Sequence, residues 1–205
     1  LLAVVLPAVN LVAHPEAIPD PAEMIKESPA EQATQRVVNQ LVKDHEAKKP
    51  NGALPTFLKK SIAWLIAAQH NDGGWGGGSH SKQSIRDPHA VVTDPATTSF
   101  TLLSLMRSGH TPVAGEYKEQ VNKGLEYLLS AVEKDKSEGP LITDVTGTQP
   151  QTKLGRFVDT SMTAQYLARV LPLIENNHPL QKRVNAALDK CLVKLQISQQ
   201  ADGSW

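Results

Sequence analysis

Apolar positions along the chain follow two alternating patterns, and the alternation predicts the architecture. Residues 55–70 carry Leu58, Ile62, Leu65 and Ile66 on one helical face, and residues 117–133 carry Val121, Leu125, Leu128, Leu129 and Val132. Residues 180–200 repeat the pattern with Val184, Ala187, Leu188, Cys191, Leu192 and Leu195. Lys and Glu fill the other side of each, as expected of helices with one face in water. Residues 95–107 (PATTSFTLLSLMR) and 160–171 (TSMTAQYLARVL) are different, with small, apolar or hydroxyl side chains nearly all round. Such helices are expected to be surrounded by protein. Residues 31–48, with Val37, Val38, Leu41 and Val42, predict one more amphipathic helix, ended by Lys49-Pro50-Asn51-Gly52. Half-wet rods alternating with dry ones predict an all-α fold of stacked hairpins, dry helices inside and half-wet helices outside, closing toward a ring.

A repeated phrase supports this periodicity. Residues 60–75 (KSIAWLIAAQHNDGGW) and 190–205 (KCLVKLQISQQADGSW) align without a gap. Leu65 falls on Leu195, Gln69 on Gln199, Asp72-Gly73 on Asp202-Gly203, and Trp75 on Trp205. The Asp-Gly pair supplies a turn with positive φ where an outer helix stops. The Gln amide can bridge loop backbone groups, and the Trp ring can lie against the neighbouring hairpin. The dry helices align as well, Thr98-Ser99-Phe100-Thr101 over Thr160-Ser161-Met162-Thr163. Asp94, followed by Pro95, and Asp159, before Thr160, are expected as their N-caps. The middle outer helix keeps only the start of the phrase, at Lys123-Gly124-Leu125-Glu126-Tyr127-Leu128.

Composition removes several classes of function. Lys+Arg and Asp+Glu are equal at 21 each, so no global positive field draws in nucleic acid. The single Cys191 cannot form an intrachain disulfide or build a Cys-rich zinc site, and its place on an apolar stripe predicts a small buried hydrophobe. Residues 1–13 (LLAVVLPAVNLVA) are too short for a stable membrane span, which needs about 20 residues. They suit the apolar region of a secretory signal with Ala13 at the cleavage edge, so a secreted or periplasmic location is expected. A first core helix is the alternative, weakened by Pro7 and Asn10. Residues 14–29, rich in Pro and acidic groups, read as a linker, leaving 30–205 for the repeat domain.

The phrase Lys60-Ser61-(x2)-Trp64-Leu65-(x3)-Gln69-(x3)-Gly73-Gly74-Trp75 resembles the Gln-Trp repeat of the squalene cyclase and protein prenyltransferase superfamily. The second copy fits less well, with Lys194 at the aromatic position. The resemblance implies an α/α toroid, here an incomplete ring forming the N-terminal part of a larger one. It does not choose among triterpene cyclases, prenyltransferase β-subunits, thioester-containing domains and other members. Squalene-hopene-type cyclases protonate an alkene with the middle Asp of an Asp-x-Asp-Asp-Thr-Ala segment. At the matching inner-helix places this chain has Asp94 with Ala96 and Thr97, and Arg156 with Val158 and Asp159. A lone Asp159 beside Arg156 is expected to be driven toward ionisation, the wrong direction for an acid. Prenyltransferase β-subunits hold zinc through Asp-x-Cys on an inner helix; Asp189-Lys190-Cys191 has those letters on an outer helix. The Gly-Cys-Gly-Glu-Gln of thioester domains is absent, as is an Arg/carboxylate set for polysaccharide cleavage.

The catalytic residues are therefore unknown, and neither a metal nor a cofactor is expected. The inner-helix cavity candidates are Asp94, Thr98, Asp159 and Ser161. The long segment 72–94, with five glycines, is the candidate lid or contact surface, and His70, His80 and His89 are its loop candidates. The leading expectation is a domain that binds or scaffolds, its partner an apolar or isoprenoid ligand or another protein. Its rival is the N-terminal fragment of an isoprenoid (triterpene) cyclase or prenyltransferase whose catalytic residues lie beyond residue 205.

Overall fold

Among the described residues, six α-helices account for most of the ordered secondary structure. The computed structural model describes residues 54–175 and 178–203. The apolar run 1–13, the Pro-rich stretch 14–29, the helix expected over 31–48 and Trp205 lie outside the described residues. The helices are α1 (Thr56–Ala67), α2 (Pro95–Arg107), α3 (Lys118–Lys134), α4 (Gln149–Leu154), α5 (Val158–Val170) and α6 (Pro179–Gln196). The bounds of α2 coincide with those the sequence predicts, because Asp94 caps it and Pro95 opens it. Helix α4 has too few residues for a period to show. Its start is nonetheless a capping box, with Thr148 accepting from the Gln151 amide and Gln151 reaching back to Thr148. Among the described residues there is no strand, only an isolated antiparallel bridge between Ser79 and Thr148.

The two dry helices, α2 and α5, pack side by side, and α3 and α6 lie on them and on each other. Between the layers sits one core, including Leu102 and Leu105 of α2, Leu125, Leu128 and Leu129 of α3, Tyr166 and Leu167 of α5, and Val184 and Cys191 of α6. Burying each large aliphatic side chain contributes roughly 1.5–3 kcal/mol. Gly124 sets the separation of the layers. A Cβ there would come within 2.8 Å of Leu102 and 2.9 Å of the Trp75 ring, so only glycine lets the indole lie on α3. At the edge, Arg183 of α6 forks onto Glu126 and Glu133 of α3 at 2.9 Å each.

Two expectations about burial are corrected. The dry helices are not enclosed all round: Phe100, Ser104 and Arg107 of α2 and Ser161, Gln165 and Arg169 of α5 are exposed. These positions recur every three or four residues, so each helix keeps one open stripe opposite the layer of α3 and α6. On α6 the buried stripe is Val184, Ala187, Cys191 and Lys194. Leu192, one residue from Cys191, is rotated by about 100° from it and lies half in water. Lys194 takes the buried place because the loop after α3 offers it a cage of oxygens. Its ammonium lies 2.7 Å from Asp135 Oδ2 and donates to the carbonyls of Ser137 and Gly139 at the same distance.

Segment 72–94 is pinned at its glycine-rich half. The Gly77 amide donates to Asp94, the Gln149 amide to the Gly78 carbonyl, and the His80 amide to the Gly147 carbonyl. Farther along, Asp87 caps a 3-10 turn (Pro88–Ala90) by accepting from the His89 amide.

Candidate functional site

The N-terminal ends of α2 and α5 bring buried carboxylates together. Asp94 Oδ1 accepts from the Thr97 amide at 2.7 Å, and Oδ2 accepts from the Gly77 amide at 3.0 Å and the Thr97 hydroxyl at 2.9 Å. It is the N-cap of α2 and also the anchor of the glycine segment. Its own amide donates to the Trp75 carbonyl, and Thr98 Oγ1 accepts from the Trp75 amide at 2.9 Å. Sequence position 75, the end of the repeated phrase, is thus tied into the first turn of the inner helix.

Asp159 does something the sequence does not suggest. It sits inside the first turn of α5, and the α5 N-cap position is Phe157, which makes no side-chain cap. Asp159 Oδ1 instead accepts from the Ala96 amide of α2 at 3.0 Å, and Oδ2 from Gln151 Nε2 of α4 at 2.7 Å. One inner helix therefore caps the other. The expectation of a simple N-cap is corrected, because α5 begins at Val158 and carries the carboxylate past its own helix start. Arg156 is also not its partner; the guanidinium lies over the Phe157 ring, 5.2 Å from its centre.

Neither carboxylate reaches solvent. Burial pushes the Asp94 carboxyl above its ordinary range, while bonds from Gly77 and Thr97 pull it back. Burial likewise raises Asp159; Gln151 and the Ala96 amide oppose the shift, and the Asp94 charge adds to it. The expectation of a lowered Asp159 is overturned, since desolvation dominates and the arginine stands away. Tyr127 of α3 lies beside the same cluster. Burial pushes its phenol up to about 12, and the charges of Asp72, Asp94 and Asp159 work in the same direction. Thr93 links this end to the repeated phrase, its hydroxyl donating to Asp72 Oδ2 at 2.8 Å.

The remaining candidates are scattered. Thr98 is buried and bonded to the Trp75 backbone, while Ser161 lies on the open stripe of α5. His70 and His89 stand 5.2 Å apart, ring centre to ring centre. His70 Nε2 donates to the Pro88 carbonyl at 2.8 Å and His89 Nε2 to the Ala67 carbonyl at 3.0 Å, so these nitrogens carry protons and cannot ligate a metal. His80 is elsewhere, its Nδ1 3.2 Å from Gln149 Oε1. Among the described residues, no three His, Cys, Asp or Glu side chains converge on a metal position. Asp189 is exposed and Cys191 is buried on α6, where burial pushes the thiol up to about 12.

In the first copy of the repeated phrase, Gln69 Nε2 donates to the Gly73 carbonyl at 2.8 Å and to the Gln120 carbonyl of α3 at 2.9 Å. Trp75 is buried, and its indole N–H donates to the Leu65 carbonyl at 2.7 Å. In the second copy Gln199 Nε2 donates to the Gly203 carbonyl at 2.9 Å. Asp202 and Gly203 form the matching turn, with Gly203 at φ +84° against +89° at Gly73. The sequence missed Thr93, Gln151 and Tyr127 as members of the cluster. Only Gln151 had a local signal, the Thr148-x-x-Gln151 capping box.

Compared with models of protein families, residues 33–147 match the squalene-hopene cyclase C-terminal domain, which is more than half of the chain. The chain belongs to that family, and with it to the squalene cyclase and terpenoid cyclase-like superfamily of helical toroids. It is a cyclase-like repeat domain. The matched span takes in α1, α2 and α3 and ends just before α4. Neither the comparison with curated proteins nor that with solved structures finds a match.

Proposed function

We propose that this chain is a toroid-wall domain that binds or scaffolds rather than turns over a substrate, and that it works outside the cytoplasm. The state of the two inner-helix carboxylates carries the reading. All four oxygens of Asp94 and Asp159 accept from donors of the chain itself, and neither residue is exposed. An acid that protonates a substrate must touch it. These carboxylates instead join α2, α4, α5 and the glycine segment. What remains open on the inner helices is a stripe with Phe100, half-buried Leu103 and half-buried Met162, set among Ser104, Ser161 and Gln165. Such a stripe suits contact with an apolar or isoprenoid ligand or with another protein surface. The apolar run 1–13 supports export.

Incubation of the chain with squalene or with a prenyl diphosphate, followed by product analysis, tests the reading; no product is expected, and turnover overturns it. N-terminal sequencing of the mature protein tests export, which a start at Leu1 refutes. The second reading, part of an isoprenoid cyclase, draws on the family itself and on the raised carboxyls of Asp94 and Asp159. Under it, the acid set is completed by residues outside this stretch, and product forms only when they are supplied.

A further inference from the structure

Outside the inner-helix stripe, one groove combines apolar surface with unpaired positive charge. It lies between α1 and segment 72–94, has a volume near 190 Å³, and is lined by Trp64, Gly77, Lys82, Ile85, Arg86 and Gln149 among others. Trp64 is 59% exposed and Ile85 40%, although both are large and apolar. Lys82 and Arg86 form no ion pair among the described residues. Asp87 lines the same groove, its Oδ1 accepting from the His89 amide, and its negative charge offsets one of the two cations, so the groove stays positive by the other.

The floor is preorganised. Gly77 is held by Asp94, and Gly78 by the Gln149 amide, so ordering this surface adds little cost on binding. The volume falls below the roughly 300–1,000 Å³ of sites that enclose a small molecule. It suits one large side chain inserted as an anchor. A Trp beside an Arg, flanked by smaller contacts, is also the make-up of the few interface residues that carry most binding energy.

We propose that this groove docks an acidic segment of a partner protein. One large apolar side chain of that segment packs on Trp64 and Ile85, and its carboxylates meet Lys82 and Arg86. This site is separate from the open stripe of α2 and α5, and its occupant is set by charge and anchor size rather than by apolar length.

A fluorescein-labelled synthetic peptide, one Phe among Asp and Glu residues, tests the proposal by fluorescence anisotropy with the full chain. Binding is expected, weakening as salt rises. Trp64→Ala and the double reversal Lys82→Glu, Arg86→Glu should each weaken it about tenfold or more. Both changes are at exposed positions, and circular dichroism should show unchanged helicity. A peptide with Gly replacing Phe, and one with Lys replacing its acids, should bind at least tenfold more weakly than the parent. The proposal is overturned if the parent peptide does not bind, or if the variants bind it as the natural chain does. It is equally overturned if vesicles containing phosphatidylglycerol bind through Trp64 while the peptide does not.

Discussion

The two copies of the repeated phrase begin and end alike but differ where they face their neighbours. In both, a glutamine amide holds the carbonyl of the turn glycine, and that glycine has positive φ. At the aromatic position the copies part. Trp64 stands in water beside a groove, whereas Lys194 is buried with its ammonium among the oxygens of the loop after α3. The turn closes on its own backbone, so the same letters make the same turn wherever they occur. A side chain that leaves the turn is shaped by what the adjoining element offers. The two glycines show the same contrast: a Cβ on Gly73 would press into the Lys123 carbonyl, whereas on Gly203 it would meet, among the described residues, only Gln199 Nε2 at 4.0 Å.

The sharpest way to break this comparison is at Trp75. Trp75→Ala should destabilise the chain by about 3–5 kcal/mol, the range for removing a large buried aromatic. Denaturant unfolding measures it, and a loss below about 0.5 kcal/mol would mean the ring is not wedged on Gly124. The glycine pair comes next. Gly73→Ala combines left-handed strain with a backbone clash and should cost about 2–5 kcal/mol, against about 1–2 kcal/mol for Gly203→Ala. Equal losses would remove the distinction between a turn packed on its neighbour and one that is not.

Lys194→Ala should cost about 2–4 kcal/mol, because Asp135 and two carbonyls lose a buried cation. Trp64→Ala, at the equivalent position of the first copy, should change stability by less than about 0.5 kcal/mol. The reverse order would show that the aromatic position has the same role in both copies.

The smallest effect is on pH dependence. Asp94 and Asp159 have folded pKa values above the ordinary 3.8. Their contribution to stability is therefore full below that value and is lost as pH rises through the raised values. Asp135, lowered by its bonds to Lys194 and Ser137, works in the opposite direction, and its contribution is lost as pH falls. In the double variant Asp94→Asn, Asp159→Asn, the fall in stability above about pH 4 should flatten while the acid-side loss remains. An unchanged profile would show that these carboxyls titrate alike in the folded and unfolded chain.

Much of the fold was legible because it is written in periods and caps. The stripes of α3 and the run of α2, uncharged up to Arg107, gave both helices to within a residue, and Asp94-Pro95 marked a start that needs no tertiary information. Helix α4 was not legible, since six residues span fewer than two turns. The site was less legible than the fold. Asp159 and Arg156 lie three residues apart in sequence, yet the carboxylate joins Ala96 and Gln151 while the guanidinium covers Phe157.

The sequence by itself determined the five longer helices, the turn at each Asp-Gly and the family to which the chain belongs. These rest on interactions within about one helical turn, or on a repeat that survives without reference to its neighbours. The tertiary structure alone decided which charges are buried, which face of the dry helices stays open and which element each carboxylate caps. Those outcomes depend on groups distant in the chain meeting at about 3 Å, and no local pattern encodes who that partner will be.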